Sequence, residues 1–91
     1  MIHDRWRPLT ALTPGEVGTV ETVIGGRGFV SRLAALGFTP GARVMMVQNF
    51  GRGPLIVLVR GTRLALGRGE AAKIKVKISV NPKEDHGQGG H

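Results

Sequence analysis

The chain contains no cysteine, no tyrosine, one tryptophan and three phenylalanines among its 91 residues. Without cysteine, neither a disulfide framework nor a cysteine-based zinc site is possible. With so few aromatic side chains, any hydrophobic core must be largely aliphatic. Hydrophobic residues nevertheless make up 41% of the chain, which is too many for a disordered protein. We therefore expect a small folded domain with an aliphatic core.

Long apolar segments are also missing. The longest uninterrupted run is Leu55 to Val59, whereas a membrane-spanning helix needs about 18 apolar residues or more. The N-terminal residues, Met1 to Arg7, lack the apolar stretch of a secretory signal peptide. These features predict a soluble, cytoplasmic protein.

Acidic residues are scarce, with 6 Asp and Glu against 13 Lys and Arg and a net charge of +7. Glu21 is followed by no acidic residue until Glu70, and the positions between them hold seven arginines: Arg27, Arg32, Arg43, Arg52, Arg60, Arg63 and Arg68. A basic, acid-free stretch favours an acidic partner such as nucleic acid, anionic lipid or an acidic protein surface. It is equally compatible with a charged surface that only keeps a small protein soluble.

Composition divides the chain into a folded domain over 9–80, a flexible N-terminus over 1–8 and a disordered tail over 81–91. The tail is rich in Gly, Pro and charged residues. Within the domain, turn signals recur every eight to twelve residues, which is typical of small β sandwiches and barrels. Thr13-Pro14-Gly15 and Thr39-Pro40-Gly41 repeat one tripeptide whose Pro and Gly suit a type II turn.

Five segments show the composition or alternation of β-strands. They are 17–24, 42–48, 54–60, 64–66 and 73–80. In the last of them Ile74, Val76, Ile78 and Val80 alternate with polar residues, which predicts an apolar inner face and an outer face of lysines. Gly51-Arg52-Gly53 predicts one hairpin connection. Gly61-Thr62 predicts another, a two-residue loop of type II′.

One helix is predicted between the first two strands. Phe29, Leu33 and Leu36 follow the i, i+4, i+7 spacing of an apolar helical stripe. Gly37 stands where a left-handed C-terminal cap is expected, and Phe38 is placed to pack back on Leu33. Pro40 prevents the helix from continuing. Five short strands and one helix predict a small, partly closed β-barrel, because closure removes vulnerable sheet edges.

Catalytic and metal-binding patterns are weak. The glycines at 25, 26 and 28 lie between a predicted strand and a helix, but they match neither a dinucleotide fingerprint nor a Walker A loop. A tight strand-to-helix turn explains them as well. The histidines are confined to the two termini, so the domain offers no His to activate a nucleophile. We therefore expect no enzymatic activity, no cofactor and no small-molecule substrate, with His3, His86 and His91 as weak metal-ligand candidates.

Two binding functions remain. A basic barrel that binds nucleic acid has the required charge, but proteins that bind single strands also use exposed stacking aromatics, which are few here. A protein-binding module fits better, because arginine is enriched at interfaces. We predict Arg32, Arg52, Arg60 and Arg63 as the partner-binding residues.

Two sequence blocks resemble the ferrous iron transport protein A (FeoA) family. The first is Arg32 to Gly41, RLAALGFTPG, and the second is Arg60 to Val76, RGTRLALGRGEAAKIKV. The resemblance also includes the opening Leu9-x-x-Leu12-x-x-Gly15 and extends over about 9–80.

This resemblance implies an SH3-like barrel with an inserted helix. It implies a cytoplasmic accessory to the membrane ferrous iron transporter (FeoB), and it implies no catalytic residue. The residues that match the family pattern are structural ones: Leu33, Leu36, Gly37, Pro40, Gly41, Leu64, Leu66 and Ala71. The histidine-bearing tail lies outside the pattern.

Overall fold

Alternating apolar residues build a sheet in the computed structural model, which describes residues 6–78. Its strands are β1 (Trp6–Pro8), β2 (Val17–Val23), β3 (Arg43–Gln48), β4 (Leu55–Val59), β5 (Thr62–Leu66) and β6 (Ile74–Ile78). They form one antiparallel sheet in the order β1-β6-β2-β3-β4-β5. The helical elements are α1 (Arg27–Ala35), α2 (Arg68–Ala71) and a 3-10 helix (Leu9–Ala11).

The mainly β, SH3-like architecture predicted from the sequence is confirmed, with two differences. A sixth strand, Trp6–Pro8, pairs with β6, although the sequence prediction began the domain at Leu9. The sheet is also not closed, since β1 and β5 stand at its two edges. The 3-10 helix that follows β1 contacts α2, which follows β5. Helical turns, rather than strand pairing, therefore join the two ends of the sheet.

The core is aliphatic apart from Phe38, as the composition predicts. Its buried side chains come from every strand except β1 and from the helical segments. No polar side chain is buried among residues 6–78. The fully buried side chains are those of Leu9, Leu12, Val20, Leu33, Phe38, Val44, Met46, Leu55, Val57, Val59, Ile74 and Val76. None of the helices between residues 6 and 78 has the length and apolar character needed to cross a membrane.

Helix α1 ends in a Schellman motif. Gly37 has a φ of 113°, and its N–H donates to the carbonyl of Ala34 at 2.9 Å, while the N–H of Phe38 donates to the carbonyl of Leu33 at 3.0 Å. This turn directs Phe38 into the core beside Leu33. Leu36 departs from the predicted stripe: it is the C-cap residue and is 43% exposed, because the chain leaves the helix there.

The two Thr-Pro-Gly tripeptides form the same turn. Gly15 and Gly41 both have a φ of 93°. In each turn the residue after the glycine donates its N–H to the threonine carbonyl at 2.9 Å. Pro40 and Gly41 thus have the predicted structural role.

The β4–β5 hairpin differs from its predicted turn type. Val59 pairs with Thr62, so the loop residues are Arg60 and Gly61, with φ values of 53° and 78°. Positive φ at both positions defines a type I′ turn, not the expected type II′. The left-handed conformation of a non-glycine residue such as Arg60 costs about 1 kcal/mol.

Among the other motif residues, Leu66 and Ala71 are buried and Leu64 is half-buried against the core. Of the glycines before α1, Gly25 acts structurally, because a Cβ there would lie 2.7 Å from the ring of Phe29.

Candidate partner-binding surface

The acidic side chains of the described chain are all engaged within the fold. Three glutamates are present between residues 6 and 78, and each carboxylate has a partner of its own. Glu16 accepts the N–H of Thr13 at 2.8 Å, Glu21 pairs with Lys77 at 3.2 Å, and Glu70 pairs with Arg32 at 2.9 Å. Among residues 6–78, no arginine other than Arg32 has a carboxylate within ion-pair distance. Apart from Arg68, which donates hydrogen bonds to Asn49 and Gly53, these arginines are available to an acidic partner.

The four predicted binding arginines do not form one cluster. Arg32 lies on α1 and is paired with Glu70. Arg52 lies in the β3–β4 loop, whereas Arg60 and Arg63 lie at the β4–β5 turn. These two connections are at opposite ends of β4, about 17 Å apart for a strand of this length. Only Arg60 and Arg63 therefore share one end of the sheet.

Arg43 is a neighbour of Arg60 that the sequence prediction did not select. An open groove at this end of the sheet is lined by both side chains together with Val17, Met45 and Leu58. The signal for Arg43 is the strand register, because Val44 pairs with Val59 and thereby places the start of β3 beside the β4–β5 turn. That register is not apparent from local sequence patterns.

Arg60 also contacts the end of α1. A Cβ on Gly37 would lie 3.0 Å from Cδ of Arg60, so the arginine side chain crosses directly over this glycine. The absence of a side chain at position 37 therefore serves both the left-handed cap and the placement of Arg60.

An exposed aromatic residue marks the opposite end of β4. Phe50 in the β3–β4 loop is 75% exposed. An open groove beside it is lined by Gln48, Arg52, Pro54, Ile56 and Ala65. Phe50 and Arg52 thus stand together at one end of an apolar strip, an arrangement suited to a partner that has both apolar and acidic groups.

Asn49 fixes the loop that presents Phe50. Its Nδ2 donates to the carbonyls of Thr10 at 3.2 Å and Leu12 at 2.9 Å. Its Oδ1 accepts the N–H of Gly51 at 3.0 Å and Nη2 of Arg68 at 2.5 Å. Local sequence patterns do not predict this role of Asn49, because its partners lie up to 39 residues away.

Arg68 also holds the β3–β4 loop in place. Its Nε donates to the carbonyl of Gly53 at 3.1 Å, in addition to its bond to Asn49. Arg68 therefore spans the base of the loop from the start of α2, and its guanidinium is directed into the fold's own hydrogen bonds.

Metal ligation receives no support from the part of the chain that the structure describes. No group of three His, Cys, Asp or Glu side chains comes together between residues 6 and 78. His3, His86 and His91, the candidate ligands, lie outside the described residues, as does the tail over 81–91.

The profile of the FeoA domain family matches residues 7–78. A protein of Methanocaldococcus jannaschii, provisionally named Fe(2+) transport protein A, is 34% identical over 70 residues, or 77% of this chain and 84% of that protein. The crystal structure of an iron uptake regulatory protein (FeoA) is 34% identical with a TM-score of 0.77, covering 81% of this chain and 99% of that one. The Stenotrophomonas maltophilia FeoA, an SH3 domain protein solved with zinc, is 35% identical with a TM-score of 0.67, covering 76% and 87%.

Proposed function

Because the chain belongs to the FeoA family, we propose that it is a cytoplasmic accessory protein of ferrous iron uptake that binds the membrane ferrous iron transporter, FeoB, and modulates its activity. The observation that carries this proposal is the domain match over residues 7–78, which spans nearly all of the described fold. Relatives that share this domain are named for Fe(2+) transport and iron uptake regulation.

The charge distribution supports action through protein–protein contacts. The glutamates of the described chain are held in internal contacts, while Arg43, Arg52, Arg60 and Arg63 are exposed. Exposed arginines that pair with no carboxylate of residues 6–78 favour association with an acidic surface and accelerate the encounter with it.

Nucleic-acid binding is the alternative that the same arginines favour. Of the described aromatic residues, Phe50 is 75% exposed and Trp6 is 49% exposed. Trp6 lies on β1 at one edge of the sheet, and Phe50 lies in the loop between β3 and β4. Two distant aromatics do not form the continuous stacking platform that single strands require, so we favour the protein partner.

A pull-down distinguishes the two functions. The tagged protein is incubated with the cytoplasmic domain of the transporter and with the whole transporter in detergent, at low and physiological salt. Each incubation is repeated with excess random-sequence DNA as a competitor. We expect retention of the transporter that DNA does not compete.

Binding to DNA should fall steeply with salt if phosphate contacts dominate it. Failure to retain the transporter, together with salt-sensitive DNA binding, would replace the accessory function with the nucleic-acid function. A Leu33→Ala variant, which lacks a buried core side chain, serves as the control for dependence on the fold.

A further inference from the structure

Strand β4 is apolar on both of its faces. Leu55, Val57 and Val59 are buried in the core, whereas Ile56 and Leu58 point to the opposite face and are half-buried. A strand with one solvated face normally alternates apolar and polar residues, and continuous apolar sequence is typical of strands covered on both faces. The described fold buries one face of β4 fully and the other face only in part.

The neighbouring strands extend this apolar surface. Met45 of β3 lies directly opposite Leu58, and Val17 of β2 lies opposite Met45. Directly opposed residues on antiparallel strands project to the same face. The outer apolar face, as we define it, consists of Val17, Met45, Ile56, Leu58 and Ala65, with Phe50 at its end.

The other half of the same sheet provides an internal comparison. Strand β6 alternates Ile74, Val76 and Ile78 with Lys75 and Lys77, and Lys77 lies opposite Thr19 of β2. On that half the outer face of β6 is polar, as expected for a solvated strand, although Trp6 and Pro8 of β1 lie opposite Lys77 and Lys75 on the same face. The continuous apolar part of the outer face thus lies on β3, β4, β5 and the start of β2.

Arginines surround the outer apolar face. Arg63 lies opposite Leu58 on β5, Arg43 and Arg60 line the groove at one end, and Arg52 lines the groove at the other. Glu16 is the acidic residue nearest in sequence to this face, and its carboxylate already accepts the N–H of Thr13 at 2.8 Å.

The charge of this rim decides between the possible occupants. A second copy of the chain would bring like-charged rims together, which is destabilising. Nucleic acid would satisfy the arginines but would leave the apolar residues in contact with phosphate and water. A segment with both carboxylates and apolar side chains matches the whole surface.

We propose that the outer apolar face binds a segment of the partner protein in which apolar side chains are flanked by Asp or Glu. That the segment belongs to the transporter rests on the function proposed above. The apolar side chains of the segment cover Met45, Ile56 and Leu58, and its carboxylates pair with the arginine rim.

Two double variants test the two halves of this surface. Ile56→Thr with Leu58→Thr makes the face polar with β-branched side chains that suit a strand. Arg43→Glu with Arg63→Glu reverses the charge of the rim. Arg7→Glu with Arg27→Glu is the matched control, because it makes the same charge change at exposed positions on β1 and α1.

We expect each double variant of the face to weaken transporter binding about tenfold or more and the control to change it by less than about threefold. Circular dichroism and thermal unfolding establish that each variant is folded. If the folded variants of the face bind the transporter with wild-type affinity, this proposal is overturned and the proposed function remains intact.

A second measurement does not need the transporter. Methyl signals of Met45, Ile56 and Leu58 in the wild-type chain are followed by NMR while a synthetic peptide of alternating valine and glutamate is added. Shifts confined to the outer apolar face, and absent with a peptide of alternating valine and lysine, support the proposal even if the transporter is not bound.

Two results of that titration would overturn the proposal: no shift with either peptide, or equal shifts with both. A face that is already occupied in the free protein would also overturn it. Dilution would then move the same methyl signals if a second copy covers the face, and deletion of residues 81–91 would move them if the tail does. Shifts of these methyl groups with duplex DNA alone would assign the face to nucleic acid instead.

Discussion

The guanidinium of Arg32 and the carboxylate of Glu70 join helix α1 to helix α2, with 2.9 Å between Nη2 and Oε2. The second carboxylate oxygen of Glu70 accepts the N–H of Gly67 at 3.2 Å, immediately before α2. Arg32 also lies 5.5 Å from the centre of the Phe29 ring. The one predicted binding arginine on α1 is thus engaged inside the fold, which distinguishes it from Arg43, Arg60 and Arg63.

A double-mutant cycle measures this ion pair. Both side chains are about half exposed, so we expect a coupling free energy of about 0.2–1 kcal/mol that decreases as salt is added. Glu70→Ala should cost more stability than Arg32→Ala, because it also removes the acceptor for the Gly67 N–H. Chemical denaturation of the two single variants and the double variant gives these values. Equal losses for both single variants would mean that the bond to Gly67 contributes no more than the contact of Arg32 with Phe29.

Substitutions of two leucines near the end of α1 distinguish the contribution of core packing from that of helix formation. Leu33 is 1% exposed and Leu36 is 43% exposed. We expect Leu33→Ala to lower the free energy of unfolding by about 2–5 kcal/mol and Leu36→Ala to lower it by less than about 1 kcal/mol. Urea denaturation of both variants checks this difference. Similar losses for the two would contradict the packing of the helix described above.

The elements predicted from sequence are those with local signals. Both Thr-Pro-Gly turns, the alternation of Ile74 and Val76, and the helix end at Gly37 depend on residues close together in the chain. Each was confirmed because dihedral preference and hydrophobic periodicity act over a few positions.

The features that sequence did not predict depend on strand register or on distant contacts. Trp6–Pro8 has no alternation of its own and becomes a strand by pairing with β6. The turn at Arg60 is type I′ because Val59 pairs with Thr62, which shifts the loop by one residue. Asn49 binds carbonyls that precede it by up to 39 residues. The apolar sequence of β4 predicted a strand but did not show which of its faces the domain leaves partly exposed.

Close packing of two strands predicts the effect of a glycine substitution in β2. A Cβ at Gly18 would lie 2.9 Å from Cγ2 of Val76, and this part of the core has no exposed space into which Val76 can move. We expect Gly18→Ala to lower the free energy of unfolding by about 1–3 kcal/mol through overpacking.

Gly28→Ala is the matched control for that substitution. A Cβ at Gly28 meets no atom within 4 Å, and the residue lies in α1, where alanine is favoured over glycine by up to about 1 kcal/mol. We therefore expect Gly28→Ala to raise the thermal midpoint while Gly18→Ala lowers it. A lower midpoint for both variants would show that local backbone preference does not govern position 28.

The hydrogen bonds of Asn49 predict that stability and loop order depend on the same side chain. Asn49→Ala removes the donor to Thr10 and Leu12 and leaves Nη2 of Arg68 without its acceptor. Because these groups are partly buried, we expect a loss of about 1–3 kcal/mol and faster amide exchange across residues 50–53. Phe50→Ala, at a position that is 75% exposed, should change neither.

Asn49→Asp distinguishes the hydrogen bonds that Asn49 accepts from those that it donates. The aspartate keeps an acceptor for Gly51 and Arg68 but has no N–H to donate to the carbonyls of Thr10 and Leu12. If the loop is ordered mainly through Arg68, amide exchange at residues 50–53 stays at the wild-type rate in Asn49→Asp although global stability falls. If exchange accelerates as much as in Asn49→Ala, the bonds to the segment after β1 order the loop, and the presentation of Phe50 depends on the N-terminal edge of the domain.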